Sequence, residues 1–164
     1  MQLRLTMSPT SNATQILCAG WQHDVLQMRS AAHTIDGRKI TEVAVGIMLR
    51  KDKRFLLTQR PPSKPYGGYW EFPGGKLGTG ESIEDALARE LHEELGVSVI
   101  KSIRWRVLEH NYSNACVRLF FYKVIKWNGN LSGREGQAFI WQTPPIAVAP
   151  LLPGMLIVID WLTA

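Results

Sequence analysis

At 164 residues the chain has the size of one domain with a real hydrophobic core. Apolar residues make up 45 % and charged residues 20 %, which excludes a disordered or fibrous protein. The net charge is +5, and no apolar run approaches the ~18 residues of a membrane-crossing helix, so no membrane partner is expected.

Residues 1–38 read as an N-terminal extension. Met7 to Thr14 is polar and irregular, no sustained period follows, and Asp36-Gly37 reads as a turn. Met28 is an alternative start, because the folded pattern begins about a dozen residues later. The expected domain therefore spans 39–164.

Within it, strand and helix signals alternate. Glu42 to Leu49 is a mostly apolar run of the kind that forms a buried strand. The charged turn Arg50-Lys51-Asp52-Lys53 leads to a second strand, Arg54 to Gln59. Pro61 to Gly68 is a loop dense in Pro and Gly. Trp70 to Phe72 is a short extended piece entering Pro73-Gly74-Gly75. Val97 to Leu108 and Ala115 to Trp127 are long β-prone runs, an expected antiparallel pair around a turn at 111–114. Asn128-Gly129 signals a tight turn. Ala138 to Trp141 is a last strand, Pro144-Pro145 breaks the chain, and Pro153 precedes a closing helix from Met155 to Leu162.

Between Phe72 and Val97 lies the segment with the most chemistry. Gly78, Thr79 and Gly80 are turn residues, Glu81 or Ser82 suits an N-cap, and Glu84 and Asp85 suit the positive end of a helix. Gly96 suits a left-handed C-terminal cap. At about 100° per residue, Glu90, Glu93 and Glu94 share a narrow sector, beside an apolar stripe of Leu87, Leu91 and Leu95. Like charges at this spacing destabilise a helix unless a cation neutralises them. A hard divalent cation with oxygen ligands, Mg²⁺ above all with Mn²⁺ as a substitute, removes that cost and turns the cluster into a site.

The spacing is specific. Gly75, five residues, Glu81, seven residues and then Arg89-Glu90-Leu91-His92-Glu93-Glu94-Leu95-Gly96-Val97 resembles the signature of the Nudix hydrolases at every defined position. Glu71-Phe72-Pro73-Gly74-Gly75-Lys76 and Arg134-Glu135-Gly136-Gln137 resemble the MutT-like branch. The resemblance implies an α/β/α sandwich with a mixed β-sheet. It implies hydrolysis of a nucleoside triphosphate to monophosphate and pyrophosphate, with 8-oxo-dGTP the leading substrate; the cytoplasm is expected from the two cysteines, which suit reduced thiols. Glu90, Glu93, Glu94 and Glu135 would be the catalytic carboxylates. Together with the Gly74 carbonyl they would hold the metal. Glu81 and Arg89 would pair and brace the loop against the helix. Arg60, Glu71, Phe72, Pro73, Gly74 and Met155 would face the substrate, with Phe72 stacking on the base unless it serves the core. Met155 falls where enzymes selecting oxidised guanine carry an Asn. A thioether cannot make the paired hydrogen bonds of an amide, so weak discrimination against dGTP is expected.

Other readings remain open at this level. Another nucleotide or a thiamin-related pyrophosphate could be the substrate. A non-catalytic Nudix-fold binding module is a further alternative, although such modules usually lose a helix carboxylate. From Thr41 onward there are 15 basic and 12 acidic residues. That mild excess suits a small polyanionic nucleotide, and no dense Lys/Arg stripe supports stable nucleic-acid binding. Cys18 and Cys116 match no metal or redox spacing. A monomer or small homo-oligomer is expected.

Overall fold

The computed structural model describes residues 14–17, 34–35, 37–112 and 115–164. Three long strands form its frame: β3 (Arg38–Met48), β7 (Ser98–Asn111) and β8 (Cys116–Asn128). β7 and β8 are antiparallel, from Ser98 opposite Asn128 to Asn111 opposite Cys116. β8 then runs parallel to β3, from Ile40 opposite Cys116 to Met48 opposite Val124. Antiparallel strands complete this mixed sheet. β1 (Thr14–Leu17) flanks β7, while β2 (Thr34–Ile35) and β6 (Gly74–Lys76) pair with β3. A smaller antiparallel sheet has β4 (Phe55–Gln59) between β5 (Trp70–Glu71) and β9 (Phe139–Gln142).

The two-residue period of the strands sends alternate side chains to opposite faces. Ala44 and Met48 of β3, Leu56 of β4, Val107 of β7 and Phe120, Tyr122 and Val124 of β8 join one buried cluster with α1 (Ile83–Leu95). Val45, Ile47, Phe55, Leu57, Leu108, Leu119 and Phe121 join another with α2 (Met155–Thr163). A strand covered on both faces has no polar side to show, which is why β3 reads as a nearly unbroken apolar run. Helix, sheet and helix form the expected α/β/α sandwich. Among the described residues no helix is long and apolar enough to cross a membrane.

The structure departs from the sequence reading in places. β3 begins at Arg38, four residues before the apolar run, because its first residues pair with β2 across the Gly37 turn. Two segments assigned to the extension, Thr14–Leu17 and Thr34–Ile35, are strands. They are too short to display a period, and their pairing rests on backbone groups. Gly74–Lys76, which the spacing assigns to no element, is strand β6. The irregular Met7 to Ala13, Cys18 and Met28 lie outside the described residues.

Candidate active site

Helix α1 is built with one face for the core and one for charge. Ser82 has extended dihedrals and its hydroxyl accepts from the Asp85 amide at 3.1 Å, the N-cap arrangement. Gly96 closes the other end at φ 74°, a conformation that costs a residue with a Cβ. Ile83, Ala86, Leu87, Leu91 and Leu95 are buried against the sheet. Gly46 of β3 lies beneath them, and a Cβ there would stand 3.1 Å from Leu91 Cδ1 and 3.2 Å from Leu87 Cδ1. The absent side chain lets the helix sit close to the sheet.

The opposite face meets β6. A Cβ on Gly75 would fall on the Glu90 carboxylate, and one on Gly74 would fall on the Ala44 carbonyl. These two glycines therefore bring backbone directly under the acidic face. The Gly74 amide donates to Glu94 Oε2 at 3.3 Å, and the carbonyl of buried Pro73 accepts from Gly46 at 2.9 Å. Arg89 fastens the preceding loop to the helix. Its guanidinium donates to both Glu81 oxygens at 2.8 and 2.9 Å and to the Lys76 carbonyl at 3.0 Å. It also reaches Glu90 at 2.7 Å and Glu93 at 3.3 Å. Hydrogen bonds from Arg89, then from the Gly78 amide, hold the Glu81 carboxyl down to about 2.

A second loop reaches the site from the far end of α1. Helices end with unpartnered carbonyls, and residues 132–137 satisfy several of them. The Ser132 amide donates to the Leu95 carbonyl at 3.0 Å, and the Arg134 amide to the Glu94 carbonyl at 2.9 Å. The Arg134 side chain donates to the His92 carbonyl at 3.2 Å, and the Gln137 side chain to the Glu94 carbonyl at 3.0 Å. Gln137 Oε1 also accepts from the Glu135 amide at 2.9 Å. This docking brings Glu135 to the acidic face, where its carboxylate pairs with Lys64 Nζ at 3.0 Å.

Glu71, Glu90 and Glu135 thus all bear on Glu94. Burial, then the charges of Glu71, Glu135 and Glu90, push the Glu94 carboxyl up to about 8, against the opposing pull of Lys64. Burial also raises Glu71, although Arg60 donates to both its oxygens at 2.7 Å. A cluster of carboxylates that includes the desolvated Glu71 and Glu94 suits a hard divalent cation by the chemistry of its donors. The ligand geometry is not assembled in this arrangement: among the described residues, no three acidic, His or Cys side chains converge as a metal site does. Glu90 is turned toward Arg89, and Glu93 stands on the rim with its side chain 53 % exposed.

The structure therefore gathers Glu71, Glu90, Glu94, Glu135, Gly74 and Arg60, with Glu81 and Arg89 paired beside them. Phe72 and Met155 are different. Each is 3 % exposed in the α2-side core, and the Phe72 ring packs on Phe55 at 5.6 Å. The sequence reading allowed Phe72 a core role beside base stacking, and the core role is the one seen. An aromatic surface lies nearby instead. Tyr66, 37 % exposed and at φ 59°, meets Tyr69 at 5.4 Å and Tyr112 at 5.7 Å. Tyr66, Lys64 and the docking contacts of Arg134 and Gln137 were missed. The latter two stood in a recognised motif without a role. Nothing in the spacing of a Pro-rich loop marks out Lys64 or Tyr66.

Comparison with known proteins supplies an independent line. A NUDIX domain model matches residues 40–162. The 8-oxo-dGTP diphosphatase of Haemophilus influenzae is 38 % identical over 104 residues, covering 63 % of this chain and 76 % of that protein. The CTP pyrophosphohydrolase of Escherichia coli is 36 % identical over 117 residues, covering 71 % and 86 %. Among solved structures, one from work on MutT of Aliivibrio salmonicida and Vibrio cholerae superposes with a TM-score of 0.63 at 30 % identity, over 76 % of this chain and 97 % of that one.

Proposed function

The chain belongs to the Nudix family of pyrophosphohydrolases, and from that membership we propose that it splits a nucleoside triphosphate into monophosphate and pyrophosphate, with 8-oxo-dGTP as the substrate. The observation that carries this reading is Glu94, a half-buried carboxylate held by the Gly74 amide and raised to about 8 by desolvation and three neighbouring carboxylates. Relatives named for 8-oxo-dGTP supply the substrate class. The role would be to clear oxidised guanine from the cytoplasmic nucleotide pool before it enters DNA.

When bound, Mg²⁺ or Mn²⁺ would supply charge neutralisation at the phosphate oxygens and acidify the attacking water. Glu90, Glu93, Glu94 and Glu135, with the Gly74 carbonyl, are the groups that would hold the ion. The chain's own contribution is placement. The core face of α1 fixes the height of Glu90 and Glu94 above the sheet. Glycine at 74 and 75 allows backbone and phosphate to share the space under them. Arg89 and Glu81 hold the loop that would otherwise swing. Glu135 serves as a further ligand or takes the proton of the water, and its loop is fixed by the helix carbonyls. Arg60, oriented by Glu71 and the Pro65 carbonyl at 2.8 Å, presents a guanidinium suited to phosphate oxygens.

One observation favours a second substrate. Met155 offers no amide to read a purine edge, and it is buried. A relative covering 71 % of this chain is named for CTP. A pyrimidine nucleotide that relies on aromatic surface such as Tyr66 is the alternative. The test is hydrolysis of a panel of oxidised and ordinary nucleoside triphosphates and of thiamin pyrophosphate with Mg²⁺, scoring phosphate and pyrophosphate separately. Preference for 8-oxo-dGTP with pyrophosphate release supports the first reading, and preference for CTP the second. No turnover of any compound would return the chain to a binding role.

A further inference from the structure

Arg60, Arg89 and Lys64 make ion pairs with acids of the site, and they are held very differently. Arg89 makes five hydrogen bonds, and Arg60 is locked between Glu71 and the Pro65 carbonyl. Lys64 makes one contact with Glu135, and both side chains are more than two-fifths exposed. An exposed single-contact pair contributes little net stability and changes partners readily. Lys64 is nevertheless near enough to lower both Glu94 and Glu71.

We propose that Lys64 is a further substrate-binding residue. It rests on Glu135 while the cluster lacks an ion, yields Glu135 to the divalent cation, and takes a phosphate oxygen of the nucleotide in exchange. The proposal rests on the hydrolase reading of the same site. Three physical facts support it. An ammonium and a divalent cation repel each other and compete for the same carboxylate. The displaced ammonium sits on a flexible stem with three donors, and the nearest new anion would be the incoming polyphosphate. The loop carrying it is held at Arg60, whose Nε binds the Pro65 carbonyl, so the side chain can swing without the loop leaving.

The experiment uses two probes that need no base and no turnover. Inorganic tripolyphosphate with Mg²⁺ is titrated by calorimetry into the wild-type protein and into Lys64→Met and Lys64→Arg. Mn²⁺ alone is titrated by electron paramagnetic resonance. In Lys64→Met, tripolyphosphate binding should weaken roughly tenfold, the scale of one exposed charge-assisted contact, and Lys64→Arg should retain most of it. Mn²⁺ binding should hold or tighten severalfold, because a competing cation is gone. Unchanged tripolyphosphate affinity in Lys64→Met overturns the proposal. So does weakened Mn²⁺ binding, which would mean that Lys64 merely props Glu135 in place. If the wild-type protein hydrolyses no nucleotide, the hydrolase reading fails, and the tripolyphosphate comparison still decides the role of Lys64.

Discussion

Helices α1 and α2 cover opposite faces of one sheet and differ in almost everything else. α1 has 13 residues, a side-chain cap at its start, a glycine at its end and an acidic outer face. α2 has 9 residues, starts after Gly154 with no side-chain cap, and has no acidic residue in its first turn and no basic one in its last. α1 carries in its own sequence the instructions for where to begin, stop and face. α2 is a helix chiefly because Met155, Val158 and Ile159 must be buried. The lesson is a division of labour: the site sits on the element that is locally specified, and the opposite helix closes the core behind it.

The largest test of that division is chemical. Glu94→Gln is expected to cut kcat by roughly 10²–10³-fold or more, as loss of a preorganised charge at a reacting phosphate would, with the circular dichroism spectrum unchanged. Glu93→Gln should also slow turnover severely. Near-normal rates at saturating Mg²⁺ in either variant would take the acidic face out of the mechanism.

Next come paired core truncations. Leu91→Ala under α1 and Ile159→Ala under α2 each remove a buried aliphatic chain and should cost about 2–5 kcal/mol in denaturant unfolding. The comparison predicts different kinetics. Leu91→Ala loosens the seat of Glu90 and Glu94 and should lower kcat as well. Ile159→Ala should leave the kcat of the folded fraction near normal. Equal loss of kcat in both would show that the two faces are not separable.

A third test uses pH. Glu94 titrates near 8 in the ion-free fold, against an ordinary 4.5. A group bound more tightly to its proton when folded stabilises the fold at low pH. This contribution is complete below about 4.5 and is lost as pH rises toward about 8. Without divalent ions, Tm should therefore fall across that window in the wild type and fall less in Glu94→Gln. Added Mg²⁺ should shrink the difference. Parallel curves would mean that Glu94 is not under electrostatic stress.

Two smaller effects refine the picture. Ser82→Ala should cost about 1 kcal/mol, the usual worth of an N-cap, measured by chemical denaturation. Starting the chain at Met28 removes the four-residue β1–β7 pairing and should preserve activity at a small cost in stability. An inactive truncated protein would extend the domain boundary.

How much of this could be read in advance follows from the range of each interaction. Ser82, Gly96, the leucine stripe and the acidic sector are set within one helix, and the spacing alone displays them. The Arg89–Glu81 pair spans eight residues and came with the family signature. Contacts that join distant segments left no such trace. The Lys64–Glu135 pair bridges 71 positions, and Gln137 reaches a helix carbonyl 43 positions away. β6 was hidden for another reason. Two glycines look like a turn whether they bend the chain or, as here, let a strand slide under a helix. The burial of Phe72 and Met155 was also not visible, since an aromatic ring and a thioether suit a core and a ligand pocket equally well.

The docking of residues 132–137 onto the last turn of α1 has a consequence for how the chain tolerates changes in length. Ser132, Arg134 and Gln137 each bond to helix carbonyls, so the segment is pinned like a ruler against fixed marks. Extra residues placed between Asn128 and Leu131 could bulge outward and leave the marks aligned. A single residue inserted between Arg134 and Gln137 would shift Glu135 along the ruler and carry its carboxylate away from Glu94. Natural or engineered variation in length is thus expected before Ser132, while the six residues that follow keep their count.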